Sequence, residues 1–260
     1  MSIEDKLKEY CDRHGILYES IIDIINEPKV VPMIRGIGFE YTVLPILKKQ
    51  LDPKYFNVDK PVINAQLGKP DIDIRIKHNE SKREFTCECK LAKNNSFKLE
   101  NKKFKKPHVQ IKVMRSRTLG EEMIKNVSEK EGIPANYLSQ HKDSYLYTHF
   151  DFVFTNIRNA FYRTINDVFV FAPTEEEIEF LSKFTNISKY EEIDDFLKWN
   201  NFFIESKFLT PKYSEKRCSR RICERNENCI FIPNYPIFDL TSSTPWKTLD
   251  QIGSYIDNSF

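Results

Sequence analysis

Asp71, Glu88 and Lys90 are the residues whose types and spacing best suit chemistry. They lie in Lys69-Pro70-Asp71-Ile72-Asp73-Ile74-Arg75-Ile76 and, past a polar stretch, Glu84-Phe85-Thr86-Cys87-Glu88-Cys89-Lys90-Leu91. Ile72, Ile74 and Ile76 alternate with Asp73 and Arg75, and a period of two predicts a strand. The polar run 78–83 predicts the loop of a hairpin. On the return strand Phe85, Cys87, Cys89 and Leu91 share one face, and Thr86, Glu88 and Lys90 share the other. A carboxylate and an ammonium therefore project together, with Asp71 near the same end of the hairpin. Two hard oxygen ligands beside a lysine suit Mg²⁺, which keeps several waters and binds one or two carboxylates plus substrate phosphate. Such an ion polarises a phosphoryl oxygen and helps generate hydroxide.

Pro70-Asp71 and Glu88-Cys89-Lys90, separated by a hairpin-sized gap, resemble the motifs of the PD-(D/E)XK nuclease superfamily, and of type II restriction endonucleases within it. Arg35-Gly36-Ile37-Gly38-Phe39-Glu40 adds a third anchor. It looks like the Gly-x-x-(apolar)-Glu opening of the family's first helix, whose Glu reaches the metal site. The motifs span roughly residues 35–98. A lone Glu-x-Lys is common on protein surfaces; three elements in order, each in suitable local structure, are not. The resemblance implies an α/β fold, a mixed central β-sheet flanked by helices, in the restriction-endonuclease-like manner. It also implies an endodeoxyribonuclease that cuts double-stranded DNA at a specific short sequence. Asp71 and Glu88 would hold Mg²⁺, Lys90 would orient or help activate water and stabilise transition-state charge, and Glu40 would assist through water or a second metal. Asp73 shares a strand face with Asp71 and is a rival ligand. The family match favours Asp71, which leaves Asp73 as a solvated charge or one on the Arg75 side. Two other readings remain: a structure-specific repair or recombination nuclease, and a non-catalytic DNA-binding module on a nuclease fold.

Composition bounds these expectations. A chain of 260 residues with 13% aromatics can bury a sizeable core and is not of disordered type. It is read as a single nuclease domain over 1–260. Net charge is only +2, so a DNA surface must come from local clustering of the 40 Lys and Arg. The start lacks a signal-peptide core and no run approaches transmembrane length, so the expected location is cytoplasmic and not in a membrane. Six cysteines are then expected to be thiols. One metal centre per chain predicts a homodimer on a roughly palindromic duplex site, although some type II restriction enzymes act as monomers.

The remaining elements must position these groups. Ser2 and Asp5 predict a capping box on a helix to His14, with Ile3, Leu7, Tyr10 and Cys11 on one stripe. Ile21, Ile22, Ile24 and Ile25 are expected in the core, with a dimer surface as the alternative. A helix after Gly38 carries Phe39, Val43, Ile46, Leu47 and Leu51 with Glu40 beside them. Pro45 is expected to kink it, since interior proline costs about 3 kcal/mol. Lys93, Lys98, Lys102, Lys103, Lys105 and Lys106 follow the hairpin with Phe97 and Phe104 between them. Lys102 and Lys105 are candidate phosphate contacts, and a solvated loop is the alternative.

Residues 118–142 resemble a helix-turn-helix, an extra helical recognition segment. Thr118 and Glu121 predict a capping box, Gly132 a C-cap, and a short second helix follows. Asn136, Ser139 and Gln140 would then face base edges in the major groove, unless the hairpin merely buries Leu138. Segments 147–157 and 167–172 read as later strands of the central sheet. Arg158 and Arg163 between them, with Asn156 and Asn159, are candidate contacts to bases or phosphates. Capping boxes at Thr174/Glu177 and Ser188/Glu191 predict two helices with solvated acidic faces, the second extending to Phe203. The basic C-terminal segment 212–260 holds Lys216, Arg217, Arg220, Arg221 and Arg225, then a loop-rich stretch and a short amphipathic helix. Arg217, Arg220 and Arg221 are candidate phosphate or guanine contacts. Cys218, Cys223 and Cys229 lack both close Cys-x2-Cys spacing and a nearby fourth ligand, so they are not expected to bind zinc.

Overall fold

Short alternating runs of β-branched and aromatic residues make the centre of this chain a sheet, and longer runs with helical spacing cover it. The computed structural model describes residues 1–61, 72–102, 104–116, 118–214, 216–223, 228–241 and 243–258. Asp71, with Pro70, lies outside them, as do Lys103 and Arg225. Helices α1 (Ile3–His14), α2 (Ile21–Asn26) and α3 (Val31–Gln50) precede strands β1 (Phe56–Asp59), β2 (Ile74–His78), β3 (Glu84–Cys89) and β4 (His108–Gln110). Helices α4 (Glu121–Glu131) and α5 (Ala135–Gln140) lead to β5 (Phe152–Thr155), β6 (Tyr162–Ile165) and β7 (Val168–Phe171). Then come α6 (Glu175–Thr185), α7 (Tyr190–Trp199), β8 (Phe202–Glu205), β9 (Ile237–Asp239), β10 (Lys247–Thr248) and α8 (Ile252–Asp257).

The central sheet has six strands in the order β1-β2-β3-β5-β8-β10. It is mixed: β3 and β5 run parallel, with Glu88 beside Val153, and the other neighbours run antiparallel. Helices α3 and α8 cover one face, packing Phe39, Val43, Leu47, Ile252 and Ile256 on Ile74, Ile76, Cys87, Phe154 and Phe203. The other face meets α6 and α7, where Leu181, Ile193 and Leu197 join Val153 and Ile204. The β4–β9 pair contributes Val109 and Phe238 to that same layer. With both faces covered, all four residues of β5 are buried, so its in-and-out alternation does not separate apolar from polar surroundings. Fully buried Phe154, Phe203 and Leu47 each contribute roughly 1.5–3 kcal/mol by leaving water.

Several local expectations hold. Ser2 and Asp5 form a reciprocal capping box, as do Thr174 and Glu177. Gly132 ends α4 in the left-handed region at φ 67°. All six cysteines are free thiols. Others are corrected. Strand β2 starts at Ile74, leaving Ile72 and Asp73 before it. Helix α3 begins at Val31, so Gly36 and Gly38 lie inside it, and it runs through Pro45 as one 20-residue helix. Helix α4 starts at Glu121 behind Gly120 with no side-chain cap from Thr118, and α7 starts behind Lys189, not Ser188. Phe203 belongs to β8. β7 does not join the central sheet; it pairs with β6 in a separate hairpin. The isoleucines of α2 are not core: Ile22, Ile24 and Ile25 are exposed. Of the α1 stripe, Cys11 is the buried member, while Ile3 and Tyr10 lie in solvent.

A candidate carboxylate–lysine centre

β3 delivers Glu88, and Lys90 just past its end, as the alternation requires. Phe85, Cys87 and Cys89 point into the layer under α3, and the intervening positions point away from it. Glu88 is only 2% exposed, and its carboxylate pairs with Lys90 Nζ at 2.5 Å. The Tyr145 ring lies 5.9 Å from Lys90 Nζ and 4.8 Å from the Arg115 guanidinium. Burial opposes the charge on Lys90, but Glu88, Tyr145 and Asp73 outweigh it, so its pKa is raised and the ammonium persists. Burial, and then Glu88, also push the Tyr145 phenol up.

Asp73 is not a solvated charge. It is buried, and its Oδ2 accepts a 2.7 Å hydrogen bond from the Cys89 amide. Arg75, its expected companion, pairs with Asp59 at 2.8 Å. Ile74 lies opposite Cys87, so continuing the antiparallel register sets Asp73 opposite Glu88. Burial and the Glu88 charge lift the Asp73 carboxyl to about 7, against partial compensation from Lys90 and Lys60. Asp73 is thus the described carboxylate facing Glu88. Two hard oxygen donors crowded in a poorly solvated space are a set that a divalent cation would relieve of repulsion, so the residues present fit Mg²⁺.

Glu40 comes from α3, on a turn anchored by its neighbours Phe39 and Val43. It pairs with Lys60, just past β1, and burial followed by the Asp73 charge raises its pKa. Glu40, Asp73, Glu88 and Lys90 therefore share one electrostatic neighbourhood. Lys60, Tyr145 and Arg115 were not singled out in the sequence. Nothing in their local pattern marks them, because each reaches the centre from a different element.

The expected DNA contacts divide. Asn136, Ser139 and Gln140 are exposed on α5, while Leu138 faces inward at 1% exposure. Lys102 and Lys105 are exposed on the loop before β4, where Lys105 lies 3.6 Å from Glu100 and Phe97 and Phe104 turn into the core. Arg158 and Arg163 are instead committed inside the molecule. Arg158 forms a fork with Asp194 at 2.6 and 3.2 Å and also meets the Tyr162 hydroxyl. Arg163 Nη2 donates to both carboxylate oxygens of Glu177 at 2.7 Å, and the guanidinium also meets the Ala172 carbonyl. Glu177 is correspondingly buried, contrary to the solvated acidic face expected of α6. Asn156, expected to reach bases, spends its amide on the Leu197 carbonyl and Asn201. Arg217 and Arg221 are exposed, whereas Arg220 holds Asp143 at 2.5 and 2.7 Å.

A fourth ligand for the cysteines does exist, 77 residues before Cys218. His141 Nε2 lies 3.4 Å from Cys218 Sγ and 3.4 Å from Cys223 Sγ. Among the described residues, His141, Cys218, Cys223 and Cys229 are the one group of three or more such side chains whose ligand atoms all lie within 4.8 Å of one another. No single helix among the described residues is long and apolar enough to cross a membrane. No protein-family model, curated protein or solved structure matches this chain.

Proposed function

We propose that the chain is a Mg²⁺-dependent endodeoxyribonuclease of the type II restriction kind, acting on double-stranded DNA with a restriction-endonuclease-like fold. The observation that carries this reading is the buried Glu88 of β3 paired with Lys90 just past the strand's end, with Asp73 across from it. The mixed sheet flanked by helices, which the family resemblance implies, supports it.

Asp73 and Glu88 would hold the ion, with Asp71 the further carboxylate that the resemblance implies. When bound, Mg²⁺ supplies Lewis-acid polarisation of a phosphoryl oxygen and a more acidic water. Lys90 remains protonated beside Glu88. Its part is therefore to donate hydrogen bonds to the attacking water and to the oxygens that gain charge, not to accept a proton. Glu40, restrained by Lys60, orients water at the edge of the centre. Backbone phosphates would be met by Lys102 and Lys105, and base edges by Asn136, Ser139 and Gln140 or by Arg217 and Arg221.

The test is digestion of unmethylated DNA with Mg²⁺, followed by sequencing of the ends. Discrete ends at one short sequence support the proposal. Ends gathered at branches or lesions would assign the centre to repair or recombination. Binding without cutting, under conditions where Glu88→Gln behaves like the parent, would reduce the chain to a DNA-binding module.

A further inference from the structure

We propose that His141, Cys218, Cys223 and Cys229 form a structural zinc site that pins the α4–α5 hairpin to the C-terminal segment. The inference is independent of the nuclease reading, because these residues belong to a different cluster from the Glu88 centre. The geometry is that of an ion's coordination sphere. Tetrahedral zinc, with Zn–S near 2.3 Å and Zn–N near 2.0–2.1 Å, requires ligand atoms about 3.6–3.8 Å apart. His141 Nε2 lies 3.4, 3.4 and 3.7 Å from the sulfurs of Cys218, Cys223 and Cys229, and Cys223 Sγ lies 3.6 Å from Cys229 Sγ. A disulfide needs sulfurs near 2.05 Å, and three thiols cannot all be paired that way.

The surroundings are prepared for a metal. His141 Nδ1 lies 2.9 Å from the Tyr137 carbonyl, which holds the proton on that nitrogen and leaves the Nε2 lone pair aimed at the thiols. The imidazole is further fixed by stacking on Phe231, with centroids 4.0 Å apart and planes 10° from parallel. All four side chains are buried, and four protein ligands leave no open position for substrate, so the site is structural. One imidazole and three thiolates in a tetrahedral set select zinc over the hard cation suited to Glu88.

The fold has a use for such a link. α4 buries none of its residues fully, and α5 buries Leu138 alone. Among the described residues, the fully buried members of the cluster that holds them are Leu138, Leu146 and Phe231 besides the three cysteines, with Ile124, Val127, Ile133, Tyr137 and Ile222 only partly buried against it. A metal bound there would add its binding free energy directly to the folding of a region whose apolar contacts are mostly half-exposed.

Elemental analysis of the untagged full-length chain, purified under reducing conditions, should find one zinc per chain. Glu88→Ala should keep it and Cys223→Ser should lose it. Cobalt reconstitution should give thiolate-to-metal charge-transfer and tetrahedral d–d bands. Chelation should strip hydrogen-exchange protection from residues 121–140 and 216–223 and leave β3 and β5 protected. If Cys223→Ser is insoluble, His141→Cys serves instead; it should retain one zinc and shift the cobalt bands towards those of four sulfurs. A chain that takes up no zinc, a His141→Cys variant without zinc, or unchanged protection after the metal is removed would each overturn the proposal.

Discussion

A carboxylate buried as deeply as Glu88 is costly unless a cation accompanies it, and Lys90 is that cation. Glu88→Gln keeps the shape and removes the anionic ligand. It should lower single-turnover cleavage of a supercoiled plasmid by at least the order of 10²–10³-fold lost with one transition-state-stabilising group. Near-normal cutting would remove Glu88 from the assignment. Asp73 makes a separate prediction through pH. Its carboxyl sits at about 7 in the fold against 3.8 in a free chain, so between those values the folded chain holds a proton that the unfolded chain has released. That contribution is complete below pH 3.8 and is lost as pH rises through 7. With chelator present, Asp73→Asn should therefore be more stable than the parent at pH 8 by roughly 1–3 kcal/mol, and no more stable near pH 4. Urea titrations at the two pH values decide it, and a gain of equal size at both would place the effect outside ionisation. Mg²⁺ should stabilise the parent at pH 8 more than the Asn variant.

At the level of elements, two arginines that look suited to DNA brace the fold. Arg158 ties the turn after β5 to α7, and Arg163 ties β6 to α6. Each side chain is about one-fifth exposed, at 18% and 22%, and each makes a two-pronged bond to a carboxylate. Charge-assisted bonds of this kind contribute about 1.5–3 kcal/mol. Arg163→Ala should cost roughly 2 kcal/mol in chemical denaturation and leave DNA affinity of the folded fraction unchanged. A large loss of affinity at unchanged stability would return Arg163 to the DNA surface. The α5 face behaves oppositely. Asn136 and Gln140 are exposed, so replacing either with Ala should spare stability and relax discrimination at one base position by about 1–3 kcal/mol. Lys102→Ala should instead weaken binding to every sequence and flatten its salt dependence. A uniform loss on replacing Gln140 would make the hairpin a packing element only.

For the whole molecule, the proposed nuclease would bring one catalytic centre per chain to a substrate with two strands. Cutting both in one encounter is simplest with two centres related by a two-fold axis. Exposed apolar residues are the candidate interface for that proposed dimer. On α3, Met33, Ile34, Ile37 and Tyr41 are exposed along one face, opposite the buried Phe39, Val43 and Leu47. Ile22, Ile24 and Ile25 add exposed apolar area from α2. Apolar surface of this kind marks an interaction site. Light scattering on a short duplex that the protein cuts should find two chains. Met33→Asp with Ile37→Asp should convert double-strand cutting into accumulated nicks without altering the Glu88 centre. One chain per duplex with unchanged double-strand cutting would exclude the dimer.

The alternation in 84–91 was enough to put Glu88 and Lys90 on one face, because successive strand residues point to opposite sides whatever the sheet packs against. The same local logic made Ser2 and Thr174 helix caps, since a capping box closes within four residues. Burial and pairing are not local. Asp73 had the same parity as Asp71, and only the β2–β3 register and the covering layers enclosed it opposite Glu88. The arginines at 158 and 163 carried the charge and geometry that phosphate needs, but Asp194 and Glu177, brought in by α7 and α6, took them first. His141 stands 77 residues from Cys218, so no spacing rule could join them. Only the packing of α5 against the C-terminal segment brought that imidazole to the three thiols.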